Sequence, residues 1–421
     1  MAQQHDLFDD IIDISKGFNA LRDPFGGVTD ALMGIGDTEK PVWNPADYKE
    51  RPRGNSVMCI PCNAEQSSCR ACMAACPVDA ISLEDGGIEI SDSCRKCGLC
   101  VPVCPTEATI ATRLGAKRLY DDIARAAAAH ETAYVTCTRA LHRIPRENEV
   151  VVACVGDVPA EVWFSVMADC PNVSVYLPLD VCSACRNTTG EEILGDAIAT
   201  AEEWAGTGMG LEVEPGALKC TKKREFERKE FMESIARTTG LAVSKLNPAT
   251  AAVASVTQRL REHSRRVTSL QKTLNSACGS NTQKRRRILT QRRQLMLQTL
   301  RDHPELAPNV HVSVPSCDFD RCTMCGECVE KCPVYATDLT GSGKWAFEPT
   351  YCIGCGLCAE ICPDKALTMV ERDGADLVVP DPEAEERAKR AAEAKKEYAE
   401  AKETVKKNLN KVLDGVEKLA D

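Results

Sequence analysis

The sequence predicts an α+β chain in which two small cysteine-rich modules flank an α/β middle domain. A basic helical insert precedes the second module, and a charged helix follows it. Three observations point there. A cysteine motif recurs in two tandem pairs near opposite ends of the chain. Between the pairs, short β-branched apolar runs alternate with stretches of helical periodicity. Charge is also segregated: the net charge is −10, yet Lys219 to Asp302 holds 20 Lys or Arg against 6 Asp or Glu, leaving the rest near −24.

A chain of 421 residues is long enough for two to four domains and for a core that needs no disulfide staples. Its 25 cysteines need another explanation. Most fall in C-x-x-C runs, too closely spaced to join distant segments. The opening stretch, within an N-terminal extension at 1–54, has no basic start, apolar core or small-residue cleavage site. No apolar window approaches the ~18 residues of a membrane span. The expectation is a cytoplasmic protein without a transmembrane span, its thiols holding metal in a reducing compartment. Export in the company of a signal-bearing partner and peripheral membrane association stay open.

The modules occupy 55–114 and 312–376. Three stretches, starting at Cys94, Cys322 and Cys352, read C-x-x-C-G-x-C-x-x-x-C-P. A degenerate copy, Cys69-RACMAACP, has Gln66 where its first cysteine should stand, with Cys59 and Cys62 upstream to replace it. All four copies carry an alanine four residues after the last cysteine: Ala80, Ala108, Ala336 and Ala366. An iron–sulfur cubane needs four converging thiolates. Three come from a tight loop, and the fourth, followed by Pro, comes from the other half of the module. Proline lacks an N–H and fixes φ, which turns the chain away from the loop.

The expected sets are therefore crossed. Cys94, Cys97, Cys100 and Cys76 hold one cluster; Cys69, Cys72, Cys104 and either Cys62 or Cys59 hold the next. In the second module the sets are Cys322, Cys325, Cys328 with Cys362, and Cys352, Cys355, Cys358 with Cys332. A zinc ribbon is the competing reading, but zinc requires neither a third loop cysteine nor the C-P step.

At these residues the chain resembles bacterial two-cluster ferredoxins, over about 55–112 and about 312–372. The N-terminal copy, Cys62-x6-Cys69-x2-Cys72-x3-Cys76, resembles the accessory ferredoxins encoded with periplasmic nitrate reductase. The resemblance implies a fold of two strands and a short helix in each half-module, four [4Fe-4S] clusters and cluster-to-cluster electron transfer. It also implies a molybdopterin oxidoreductase or a hydrogenase as the client.

The middle domain, 115–215, reads as α/β. TAYVTCT and EVVVACV are buried-strand runs, VSVYLP is a third, and helices are expected from about Ala160 to Ala168 and from Glu191 to Ala205. Thr188 with Glu191, and Thr189 with Glu192, fit a capping box. If the strands are parallel, Cys137, Cys154, Cys182 and Cys185 meet at the carboxyl edge of the sheet, where open α/β sheets place ligands. Three readings compete there: a fifth iron–sulfur cluster or zinc, small buried side chains, and a Cys182–Cys185 redox dithiol. In cysteine order this layout is similar to the cluster-bearing delta subunit of methanogen hydrogenases. Cys170, Cys220, Cys278 and Cys317 read as structural.

The basic region, 216–311, places Phe226, Phe231 and Ile235 on one helical face and Ile288, Leu295 and Leu300 on another. Helices packed on the modules with charge solvated outside, or a docking face for an acidic protein, fit this pattern. Nucleic acid does not, since no aromatic residues interleave with the charges. In 377–421, i,i+4 pairs such as Glu386–Arg390 and an apolar seam through Val405, Leu409, Val412, Val416 and Leu419 predict a helix that tethers. GTGMG at 206–210 follows a helix and so is no dinucleotide loop, and GSGKW at 341–345 reads as a hairpin turn. With no substrate-level catalytic constellation, the expected role is a polyferredoxin-like electron-transfer subunit. It would pass single electrons among redox protein partners or within a larger oxidoreductase complex. An assembly factor for such an enzyme, or a thiol-dependent reductase, are the alternatives.

Overall fold

The computed structural model describes residues 42–84, 86–223, 265–281 and 283–382, with Glu386 and Arg390. From Pro45 onward these residues belong to one compact unit. The first module runs β1 (Arg53–Gly54), α1 (Ile60–Asn63), α2 (Ala71–Ala74), β2 (Ile81–Glu84), β3 (Gly87–Ile90) and β4 (Thr109–Ile110). β2 and β3 form an antiparallel hairpin, and β1 pairs with β4.

The middle of the chain continues as α3 (Ala116–Ala129), β5 (Ala133–Cys137), α4 (Thr138–Leu141), β6 (Glu149–Val152) and α5 (Ala160–Asp169). It then runs through β7 (Val173–Tyr176), α6 (Gly190–Ala205) and β8 (Gly210–Glu212). The strands lie in the order β6-β5-β7-β8, and every pairing is parallel. A parallel sheet is covered on both faces, which is why β5 is buried at every position and reads as an unbroken apolar run. On α3 the buried residues Ala116, Leu119, Tyr120, Ile123 and Ala127 form one stripe. α5 is buried from Val162 through Met167 because neighbours cover it on several sides, α3 and α6 among them. The edge strand β8 had no signature, since its Gly-Leu-Glu is mostly exposed and forms no apolar run. It places GTGMG in a helix-to-strand turn, with Gly206 as the left-handed cap of α6.

One expectation fails here. Thr189 is the N-cap of α6 but makes no capping hydrogen bond; its hydroxyl donates instead to the Ala75 carbonyl of the first module, at 2.8 Å. A contact between domains has taken the group that the capping box would have used.

Residues 265–278 are helical, and α7 (Gln291–Asp302) follows. The second module runs β9 (His311–Cys317), α8 (Glu327–Glu330), β10 (Thr337–Leu339), β11 (Trp345–Phe347), α9 (Leu357–Glu360) and β12 (Leu367–Asp373). β9 pairs antiparallel with β12, and β10 with β11 as a hairpin turned at 341–343. Leu295 and Leu300 are buried and Ile288 half-buried. The helix does not carry its charge outside, however. Arg293, Gln298 and Thr299 of α7 are buried too, because the helix packs on α3 and α5 and its first turn reaches both modules. Phe226, Phe231, Ile235 and the C-terminal seam lie outside the described residues, while the Glu386–Arg390 pair is present. Among the described residues, no helix is long and apolar enough to cross a membrane.

Candidate metal centres

The thiols gather in the crossed sets. Cys76, Cys94, Cys97 and Cys100 line one cavity, and Cys332, Cys352, Cys355 and Cys358 line another. A third is lined by Cys59, Cys69, Cys72 and Cys104. The three are alike in size. Cys322, Cys325, Cys328 and Cys362 stand together as well: burial pushes Cys328 up to about 11, and the other three thiols add to the shift. Cys317, expected to be structural, joins this group. Its pKa is raised to about 12 by burial and by Cys322, Cys328 and Cys362.

The same two causes act in the other sets. Cys355 is raised to about 12 by burial, with Cys332 and Cys352 adding; Cys72 is raised to about 11 by burial, with Cys104 and Cys69 adding. Buried, mutually repelling thiols ionise together only around a cationic centre, so this donor set suits thiophilic metal. Four thiols spaced around a cavity fit an iron–sulfur cubane.

The backbone explains the repeat residue by residue. The recurring alanines are all nearly fully buried. Each donates its N–H to the sulfur four residues before it: Ala80 to Cys76 at 3.2 Å, Ala108 to Cys104 at 3.1 Å, Ala336 to Cys332 at 3.3 Å and Ala366 to Cys362 at 3.3 Å. The residue ahead of each alanine, Asp79, Glu107, Tyr335 or Lys365, is left-handed, which turns the amide back toward the sulfur. In the three regular loops Lys96, Met324 and Gly354 are left-handed, as are the glycines that follow the second cysteine, Gly98, Gly326 and Gly356, with φ of 81°, 82° and 76°. A side chain at those glycines would strain the turn.

The degenerate copy departs at that point. Arg70 stands where the others have glycine, and it takes φ −138°. Cys59, only 6% exposed, completes the lining, while Cys62 is half-buried and lies outside it. Burial raises Cys59 to about 12, and its neighbours Cys62 and Cys72 contribute.

In the middle domain, parallel pairing puts Cys137 at the end of β5, Cys154 just beyond β6 and Cys182 and Cys185 after β7, all on the carboxyl edge. Burial raises Cys137, with Cys185 adding; burial raises Cys182 to about 11, with Glu191, Cys137 and Cys185 adding. Cys154 is raised by burial, then by Asp157 and by Cys137 and Cys97. The first turn of α6 reaches this sulfur, because a Cβ on Gly190 would lie 2.8 Å from Cys154 Sγ. Sequence reasoning missed Asp157, which is fully buried and held above the usual carboxylate range by that burial. A wide cleft elsewhere, bordered by Thr112, Pro159 and Gln294, bears charges that are paired, among them Lys117 with Asp121 and Arg292 with Glu107.

Residues 66–123 match a 4Fe-4S dicluster domain, and so do residues 321–366. The first match begins after Cys59 and Cys62, so it leaves the fourth thiol of the degenerate set to the geometry. No curated protein and no solved structure matches the chain. The chain thus contains two ferredoxin-type 4Fe-4S dicluster domains of mixed helix and strand content.

Proposed function

We propose that this protein relays single electrons through four [4Fe-4S] clusters as the electron-transfer subunit of a larger oxidoreductase complex. The observation that carries the reading is the set of four thiol groups, each drawn from both halves of its module and each receiving an alanine N–H on one sulfur. When bound, such a cluster takes up and returns one electron at a time. The chain's own part is to supply thiolates, N–H donors and burial, the features that tune a potential. In the degenerate site Cys59 is the fourth ligand. The client resembling a molybdopterin enzyme or hydrogenase, and the cytoplasmic location, rest on the sequence resemblance and the thiol chemistry.

A second reading concerns the middle domain. Convergence of Cys137, Cys154, Cys182 and Cys185 at the edge where α/β sheets bind ligands favours a fifth iron–sulfur centre there. Iron and acid-labile sulfide per chain, on anaerobically purified protein, test both readings. About sixteen irons support four cubanes alone; about eighteen to twenty, falling to sixteen when Cys182 and Cys185 become Ser, support the fifth centre. Protein with full iron that hands its clusters to an apo-acceptor would replace the relay with an assembly role.

A further inference from the structure

We infer that the four cluster sites stand in one row, and that the degenerate site of the first module is the one joined to the second module. The order is Cys322/Cys325/Cys328/Cys362, then Cys332/Cys352/Cys355/Cys358, then Cys59/Cys69/Cys72/Cys104, then Cys76/Cys94/Cys97/Cys100. The middle-domain cysteines lie beyond the last. This inference rests on the reading of the thiol sets as cluster sites. Sequence alone leaves several arrangements open, including modules held apart by the long basic region and modules joined through either of their sites.

Three contacts define the order. The first is the junction between the modules. Ile60 and Ala64 of the first module and Leu357 of the second form one buried apolar cluster, and Cys69, Cys355 and Ile361 pack against it. One cysteine from each of two sites thus shares a single apolar contact. The Glu360 carboxylate closes the junction, accepting the Ser68 N–H at 2.7 Å and the Ser67 hydroxyl at 3.0 Å.

The second contact is a clamp from α7. Arg292 donates to the Glu107 carboxylate and the Cys104 carbonyl of the first module. The next residue, Arg293, donates to the Thr350 carbonyl at 3.2 Å and the Pro349 carbonyl at 2.7 Å of the second. Two consecutive arginines therefore hold the modules from one helix end, and the Glu107 carboxylate also accepts the backbone N–H groups of Gln291 and Arg292. Such a contact at a helix N-terminus is favourable. Arg292 and Arg293 are positioning residues.

The third contact is at the other end of the first module. Cys97, Leu99 and Cys154 form one buried cluster, and Thr189 donates to the Ala75 carbonyl. This joins the Cys97 site to the middle domain. At the far end of the row, Cys325 is exposed, and nearby Phe319 is 53% exposed. Electron tunnelling falls steeply with distance, so adjacency of this kind fixes which sites exchange directly.

The test is EPR of the dithionite-reduced full-length protein, read beside iron content. Cys325→Ala and Cys355→Ala should each remove about four irons. Magnetic interaction between the two modules should persist in Cys325→Ala, which removes the end of the row, and vanish in Cys355→Ala, which removes its link. Interaction that survives Cys355→Ala but disappears in Cys325→Ala overturns the order. Iron that does not fall in either variant refutes the cluster reading itself. A second check leaves the cluster ligands in place. Amide exchange at Ser68 should be slow in the wild type, and faster in Glu360→Ala with its iron unchanged; fast wild-type exchange sinks the junction.

Discussion

Replacing Cys59 separates two accounts of the degenerate site, because Cys62 offers the same chemistry three residues further on. Cys59 is 6% exposed and lines a cavity with Cys69, Cys72 and Cys104; Cys62 lies outside that lining. If Cys59 is the fourth ligand, Cys59→Ala leaves three thiolates around the site. The protein should then lose one cluster of four, a quarter of about sixteen irons. A three-iron remnant would keep about fifteen and still single out Cys59. Cys62→Ala should retain all the iron. Alanine is the better substitution, since a buried, unpaired serine hydroxyl would itself cost about 1–3 kcal/mol and blur the result. The assay is iron and sulfide per folded chain, with EPR of the oxidised form to reveal a three-iron centre. Iron lost from Cys62→Ala and kept in Cys59→Ala would refute the argument from the cavity lining.

Three further outcomes follow from other parts of the molecule. Gly190→Ala puts a methyl 2.8 Å from Cys154 Sγ, so it should destabilise the protein by about 1–3 kcal/mol in denaturant unfolding. It should also lower only the iron above sixteen; loss of cubane iron would mean that the helix end does not serve the middle site. Arg143 makes paired hydrogen bonds of 2.6 and 2.7 Å to the Glu149 carboxylate, whose side chain is 1% exposed. Arg143→Ala strands that buried charge and should cost about 3 kcal/mol, while Arg143→Ala with Glu149→Gln should recover much of it. His303 shows how a pH response arises. Burial pulls its pKa down, but Asp169 at 2.9 Å and Glu305 at 3.3 Å more than offset this, and the net shift is upward. Its contribution is full below the unfolded value of about 6.5 and is lost as pH rises through the folded value. The stability gap between wild type and His303→Gln should therefore be larger at pH 6 than at pH 8.5, and an equal gap would reject the ion pairs.

What could be read from the sequence was what has a period or a fixed spacing. The cysteine loops repeat, so the crossed sets emerged without coordinates. The runs at Ala133–Cys137 and Glu149–Val152 are continuous and β-branched because a parallel sheet buries both faces. The alanines were visible as a repeat but carried no reason until their N–H groups were seen on sulfur. β8 was invisible because an exposed edge strand needs no apolar pattern. The basic region misled for the opposite reason. Arginine on a helix usually means a solvated face, yet Arg293 is buried, its guanidinium held by two carbonyls, and burial lowers it to about 10. Nothing local in the sequence distinguishes such an arginine from a solvated one, since its partners are 56 and 57 residues away.

The irregular copy of the motif and the junction between modules fall on the same residues. In the regular loops, the residue two after the first cysteine, Lys96, Met324 or Gly354, is left-handed. Lys96 directs its N–H at Cys94 sulfur, at 3.4 Å. The matching position in the first copy is Ser68, and its N–H is given to Glu360 of the other module. Ser67, beside it, gives its hydroxyl to the same carboxylate. An amide cannot serve both partners at full strength. Gln66 and Arg70 stand where the regular loops have cysteine and glycine. Cys59 stands with Cys69, Cys72 and Cys104 around the cavity, and the next residue, Ile60, packs with Leu357. Read alone, the degenerate copy is a damaged motif. In the folded chain it is the copy whose Ser67 hydroxyl and Ser68 N–H face the second module.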